Sequence, residues 1–227
     1  MTDPTPLAGA SVIFDLDGTL VETAPDLAAA MNAVLVADGL EQLPLEEVRH
    51  LVGHGARALL RRGYAAHGRS LEDDELEERV VRFIDHYRPN VAATSHPFEG
   101  VEDALERLRD VGAALSVCTN KPEALAVDLL RRLNLAPYFA GVVGGDTLVV
   151  RKPAPDPLLE AVRRAGGSTS RMVMVGDSST DVKAARAAGA AVVVVSFGYS
   201  DGPPAELGAD AVIDHFDALF DAASRLA

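Results

Sequence analysis

Apolar runs rich in β-branched residues recur at 11–14, 114–118, 139–143, 172–175 and 191–195, each bounded by Gly, Asp or Asn. Such short uninterrupted runs are the pattern of strands buried on both faces, because a strand covered on one face alternates apolar with polar positions. The segments between them carry the helical repeat instead: Val101, Leu105 and Leu108 precede the second run, and Leu125, Leu129, Leu130 and Leu133 follow it. Strand alternating with helix from about residue 97 onward predicts right-handed crossovers and a doubly wound parallel α/β sheet, a Rossmann-like core. A last short strand at 211–213 and a closing helix finish the pattern.

Residues 22–92 break that rhythm. They read as consecutive helices at 25–38, 45–63 and 72–88, with no strand signal between them. A helical stretch placed directly after the first strand is most simply a helical cap domain (22–92) inserted into an α/β core made of 1–21 and 93–227. The crossings near Glu22 and Pro97 are then the hinges.

Composition narrows the classes of function. Hydrophobic residues make up 48% of the 227 and charged residues 24%, which is ordinary globular composition. With 21 Lys+Arg against 34 Asp+Glu the formal charge is −13, which argues against a general basic surface for nucleic acid or anionic membrane. An anionic substrate must therefore be drawn in by a local site. The single cysteine, Cys118, leaves neither an internal disulfide nor a cysteine cluster for zinc. The start of the chain lacks the basic, then apolar pattern of an export signal, and the run 192–195 is too short to span a bilayer. The expectation is a cytoplasmic protein, monomer or homodimer.

Four segments carry chemistry. In Phe14-Asp15-Leu16-Asp17-Gly18-Thr19-Leu20, two carboxylates spaced by two leave the end of the first strand on one side, and Gly18 permits a sharp turn. In Val175-Gly176-Asp177-Ser178-Ser179-Thr180-Asp181, two more acids four apart sit between a strand and a helix, where hydroxyl capping also accounts for part of the pattern. Acids gathered at one sheet edge repel unless a cation sits among them, and a hard divalent ion with oxygen ligands, Mg²⁺, suits them. Cys118-Thr119-Asn120-Lys121 offers a hydroxyl and amides at a helix start, a natural phosphate seat. Arg151-Lys152-Pro153 adds a basic pair in a loop.

These four segments, in this order and each at a strand end or in the following loop, resemble the haloacid dehalogenase superfamily of phosphohydrolases over nearly the whole chain. The resemblance implies that Asp15 attacks phosphorus and that Asp17 moves protons, first to the leaving alcohol and then from water. It implies that Lys152 ties the phosphoryl group to the nucleophile, and that Thr19, Thr119 and Asn120 bind on the phosphate side. Asp15, the backbone carbonyl of Leu16, Asp17, Asp177 and Asp181 then form the metal site, with Asp181 acting through a bound water.

Within that superfamily the chain looks most like the phosphoglycolate phosphatase branch, through Leu20-Val21-Glu22-Thr23-Ala24-Pro25-Asp26-Leu27, Val52-Gly53-His54-Gly55-Ala56-Arg57, Gly144-Gly145-Asp146-Thr147 and Phe197-Gly198-Tyr199. Relatives usually carry Asp-Ser where this chain has Glu22-Thr23. The implied substrate is a small phosphorylated metabolite, 2-phosphoglycolate, with Arg57 or His54 meeting its carboxylate. The same stretch also suits a plain helix start with Arg57 exposed, and both readings stay open. A sugar phosphomutase, a broad-range sugar phosphate phosphatase and a silent phospho-ligand binder are the alternatives.

Overall fold

The computed structural model describes residues 6–200 and 202–227. Residues 1–5, part of the start read above for an export signal, lie outside the described residues.

Strand β1 (Ser11–Phe14) is followed by β2 (Val21–Glu22) and four helices, α1 (Ala24–Ala37), α2 (Leu45–Arg49), α3 (Ala56–Ala66) and α4 (Asp73–Tyr87). The chain returns through β3 (His96–Pro97) to α5 (Val101–Asp110), β4 (Ala114–Cys118), α6 (Glu123–Arg132) and β5 (Gly141–Val143). It continues with α7 (Asp156–Arg164), β6 (Met172–Gly176), α8 (Ser179–Ala188), β7 (Ala191–Val195), β8 (Ala211–Ile213) and α9 (Leu219–Leu226).

The main sheet has the order β5-β4-β1-β6-β7-β8, and every pair in it is parallel. Period-two alternation divides its side chains between two cores. Val12, Phe14, Val173, Val175, Val193 and Val195 pack on one side with Leu105, Leu108 and Leu219. Ile13, Met172, Met174, Val192 and Val194 pack on the other with Leu158, Val162 and Val182. Helices α5 and α9 thus cover one face and α7 and α8 the other, which is why the strands read as continuous apolar runs. The chain builds outward from β1 through β4 to β5 and then crosses back to β6. Strand β1 is therefore the switch point, where an open α/β sheet leaves a crevice at its carboxyl edge.

Between β1 and β4, helices α1, α3 and α4 close around Met31, Leu35, Leu60, Tyr64 and Phe83, all buried. Asp38 ties them together, accepting from Tyr64 Oη at 2.6 Å, Arg79 Nε at 2.9 Å and Arg82 Nη2 at 2.6 Å. These partners, above all the hydroxyl of Tyr64 after the opposing cost of burial, hold the Asp38 carboxyl below its ordinary value.

Three expectations change in detail. The single helix expected at 45–63 is two, because Gly53 and Gly55 adopt φ of 101° and 84°, a left-handed region that a helix cannot continue through. The strand expected at 139–143 begins at Gly141, since a 3₁₀ turn at Ala136–Tyr138 draws the Phe139 amide back to the Ala136 carbonyl. The two crossings into and out of the helical insertion pair with each other as β2 and β3, Val21 against Pro97 and Glu22 against His96. Asp26 reinforces the junction by accepting from both amides and both hydroxyls of Thr94 and Ser95.

Candidate active site

Adjacent parallel strands β4, β1 and β6 end within one residue of one another, so the residues just past them converge: Thr119, Asp15 and Asp177. The Asp15 amide still bonds to the Val175 carbonyl at 2.9 Å and that of Thr119 to the Val143 carbonyl at 2.9 Å, which fixes both residues on the sheet rather than on a mobile loop. Gly18 makes the return turn with φ 81°, and a Cβ there would lie 2.5 Å from Asp177 Oδ2.

Asp15, Asp177 and Asp181 are all buried and offer ligand oxygens within 4.8 Å of one another. Lys152, 3% exposed, reaches in from the loop before α7 and places Nζ 2.9 Å from Asp15 Oδ1 and 2.7 Å from Asp181 Oδ1. The second oxygen of Asp181 takes the Ser178 hydroxyl at 2.7 Å and the Ser178 amide at 3.1 Å. Asp177 is held by the Tyr199 amide at 2.6 Å and by the Thr19 hydroxyl at 3.3 Å.

One ammonium does not balance three carboxylates. Burial pushes the Asp15 carboxyl up to about 7, with Lys152 pulling down and Asp181 pushing further up. Burial also drives Asp177 well above the ordinary range, with Asp181 and Asp15 adding to it. Burial would lower the Lys152 ammonium, but Asp15 and Asp181 outweigh it and hold that group above its usual value. A pocket of hard oxygen donors short of positive charge fits a divalent cation such as Mg²⁺.

Asp17 faces elsewhere. Both its oxygens accept from Lys121 Nζ, at 2.7 and 2.9 Å, so its carboxylate is not one of the three clustered acids. The carbonyl of Leu16 accepts the amides of Thr19, Leu20 and Val21 in the turn that follows β1. Thr19 is buried behind Asp177 rather than on the open side. Asp15, Asp17, Thr119, Asn120 and Lys121 line one cleft, with Val52, Gly53 and Gly55 of the insertion opposite. Asn120 Nδ2 also donates to the Lys152 carbonyl at 3.3 Å.

Of the two residues expected to meet a substrate carboxylate, Arg57 is paired with Glu77 and does not line the cleft. His54 lies with Nδ1 3.3 Å from Thr180 Oγ1, so it bridges the α2–α3 loop to α8 without lining the cleft either.

Three residues were given no role by the sequence. Lys121 stands in a quoted motif, but its partner Asp17 is distant in the chain. Tyr87 ends α4 and reads as ordinary helix core. Tyr199 accepts the amides of Thr23 and Ala24 at 2.7 and 2.8 Å and donates to Glu22 Oε1 at 2.5 Å. Its hydroxyl thereby satisfies donors at the start of α1, while Glu22 Oε2 meets Arg49 Nη2 of α2 at 3.0 Å. One residue thus links the acid cluster, the first crossing and the insertion.

A parallel sheet with buried acids and a lysine at its switch point defines a class of hydrolases, and the chain belongs to it: the haloacid dehalogenase-like hydrolase family model matches residues 12–195. More particularly, it is similar to the phosphoglycolate phosphatase of Caulobacter vibrioides, 48% identical over 92% of this chain and 89% of that one. It is 45% identical to the phosphoglycolate phosphatase of Mesorhizobium japonicum, over 92% of each chain. The crystal structure of a predicted phosphoglycolate phosphatase from Haemophilus somnus superposes with a TM-score of 0.85 at 31% identity, covering 93% of this chain and 96% of that one. The chain is a phosphoric monoester hydrolase. Among the described residues, no helix is long and apolar enough to cross a membrane.

Proposed function

We propose that the protein hydrolyses 2-phosphoglycolate to glycolate and phosphate with Mg²⁺, through an aspartyl-phosphate on Asp15. The observation that carries this reading is the different setting of the two carboxylates that leave β1: Asp15 sits in the acid cluster against Lys152, and Asp17 sits in the same cleft against Lys121. One carboxylate is placed for the phosphorus and the other for protons.

In the first step an oxygen of Asp15 forms a bond to phosphorus as the ester bond breaks, and Asp17 gives its proton to the departing alkoxide. In the second, Asp17 takes a proton from water, the water oxygen attacks phosphorus, and Asp15 is released. Thr119 and Asn120 donate to phosphoryl oxygens. Two like charges 4 Å apart repel by about 4 kcal/mol at an effective dielectric near 20, so a carboxylate needs opposing charge to approach a phosphate. Lys152 supplies part of it. Mg²⁺, held by Asp15 and Asp177 with Asp181 orienting its water, would supply the rest as a Lewis acid.

Residues 22–92 act as a cap over the core, with the β2–β3 pair at the hinge. A cytoplasmic setting suits a chain whose single cysteine leaves no internal disulfide.

The substrate is tested by measuring phosphate release from 2-phosphoglycolate, a sugar phosphate and a neutral alkyl phosphate, with Mg²⁺ and with a chelator. The expected result is Mg²⁺-dependent release with kcat/KM for 2-phosphoglycolate at least tenfold above the others, the range one charge-assisted contact provides. Equal rates on all three esters would contradict the substrate.

A further inference from the structure

The cleft has a polar floor and an apolar far side. Beyond Asp15 and Thr119 it is walled by Leu27, Val52, Leu59, Phe83 and Ile84, none of which can meet a charge. Among the described residues Lys121 is the one cation lining it, and Tyr87 adds a hydroxyl from the insertion. Tyr87 is 1% exposed, and its Oη lies beside the Lys121 ammonium but makes no hydrogen bond of regular geometry. Buried hydroxyls are usually satisfied in folded proteins, and this one belongs to a residue that lines a cleft, so its bonding capacity is open to a ligand atom there.

Resting on the reading of 2-phosphoglycolate as substrate, we propose that Lys121 and Tyr87 recognise the carboxylate at the end of the substrate remote from phosphorus. Lys121 Nζ lies 4.8 Å from the centre of the Tyr87 ring, so the two groups share one wall. An ammonium has three donors, and the two Asp17 oxygens occupy two of them. The third and the phenol O–H make a two-point site for one carboxylate. Burial pushes the Tyr87 phenol up to about 12, against the pull of Lys121, which keeps it in the protonated, donating form.

The pair is also split between the two parts of the fold. Lys121 precedes α6 in the sheet unit, whereas Tyr87 closes α4 of the insertion. Full recognition of an acid therefore needs the insertion seated on the core. The apolar wall at the same place leaves a longer polar chain, such as that of a sugar phosphate, without hydrogen-bonding partners.

The test uses the Asp15→Asn protein, in which binding is read without turnover. Affinities for 2-phosphoglycolate and for ethyl phosphate, which lacks the carboxylate, are measured by calorimetry with Mg²⁺, in that background and with Tyr87→Phe added. Removing one hydrogen bond to a charged group should lower the ratio of the two affinities about tenfold, and Lys121→Met should lower it further. The same shift in the kcat/KM ratio is expected when Tyr87→Phe stands alone. An unchanged ratio, or equal loss for both ligands, overturns the proposal. Absence of phosphate release from either ester by the wild-type protein would sink the phosphatase reading, while the affinity ratio would still decide recognition of the carboxylate.

Discussion

Asp15→Asn is expected to lower kcat by roughly 10⁴-fold or more while leaving the fold intact, because an amide is no nucleophile toward phosphorus and the loss of a bond-forming group removes the whole covalent route. The structure makes this variant clean. Asn keeps the shape of the side chain, and its oxygen can still accept from the Leu16 amide, now 2.7 Å from Asp15 Oδ1. It also removes one of three crowded acids, so stability should hold or rise. Steady-state phosphate release and thermal melting check the two halves separately. Appreciable turnover by protein free of wild-type contamination would contradict the role of Asp15.

The second large effect falls on stability. Lys152→Met keeps the length of the side chain and removes the ammonium that lies between Asp15 and Asp181, with its side chain 1% exposed and theirs 6% and 0%. Removing one partner of a buried ion pair costs about 3–5 kcal/mol, because the remaining charge is neither solvated nor paired. Activity should fall with it by roughly 10²–10³-fold, the range for loss of a preorganised charge at the reacting group. Urea denaturation and phosphate release test both, and a variant as stable as wild type would contradict the account of the cluster.

The same shortage of positive charge sets a pH dependence for the wild-type protein. The Asp15 carboxyl is raised from 3.8 to about 7, so between those values the folded chain binds more protons than the unfolded one. The contribution of this group to stability therefore falls as pH rises from about 4 to about 7 in the absence of a cation. A divalent cation competes with those protons. The rise in Tm on replacing chelator by Mg²⁺ should accordingly be larger at pH 8 than at pH 5, with the opposite order contradicting the assignment of the cluster.

The sheet was legible because its strands are covered on both faces and so appear as unbroken apolar runs. Three of the five internal runs, 11–14, 114–118 and 191–195, coincide with strands in full. The acids at their ends were legible too, since a carboxylate just past a buried strand can only face the carboxyl edge of the sheet. The break at Gly53–Gly55 was hidden because apolar spacing continues across it, although the two glycines were themselves the signal. Strands of two residues, β2 and β3, have no period to detect.

What sequence could not supply were pairings across long separations. Lys121 and Asp17 are 104 positions apart, and Tyr199 and Glu22 are 177 apart. Nothing local marks either pair. Tyr87 is harder still, since a residue four positions after Phe83 on the same helical face has the spacing of simple core. Arg57 shows a different case: its place in a glycine-rich stretch suited a ligand contact and a plain helix start alike, and the first turn of α3 sets it against Glu77 on α4.

The most direct test of the central claim is to quench the Asp17→Asn protein in acid during turnover of 2-phosphoglycolate and map the modified peptide by mass spectrometry. With the proton carrier gone both steps slow, and the phosphoenzyme that is trapped should carry its phosphoryl group on Asp15, within the peptide that holds it. Phosphate released at the wild-type rate, or a phosphoryl group found on any other residue, would contradict the account.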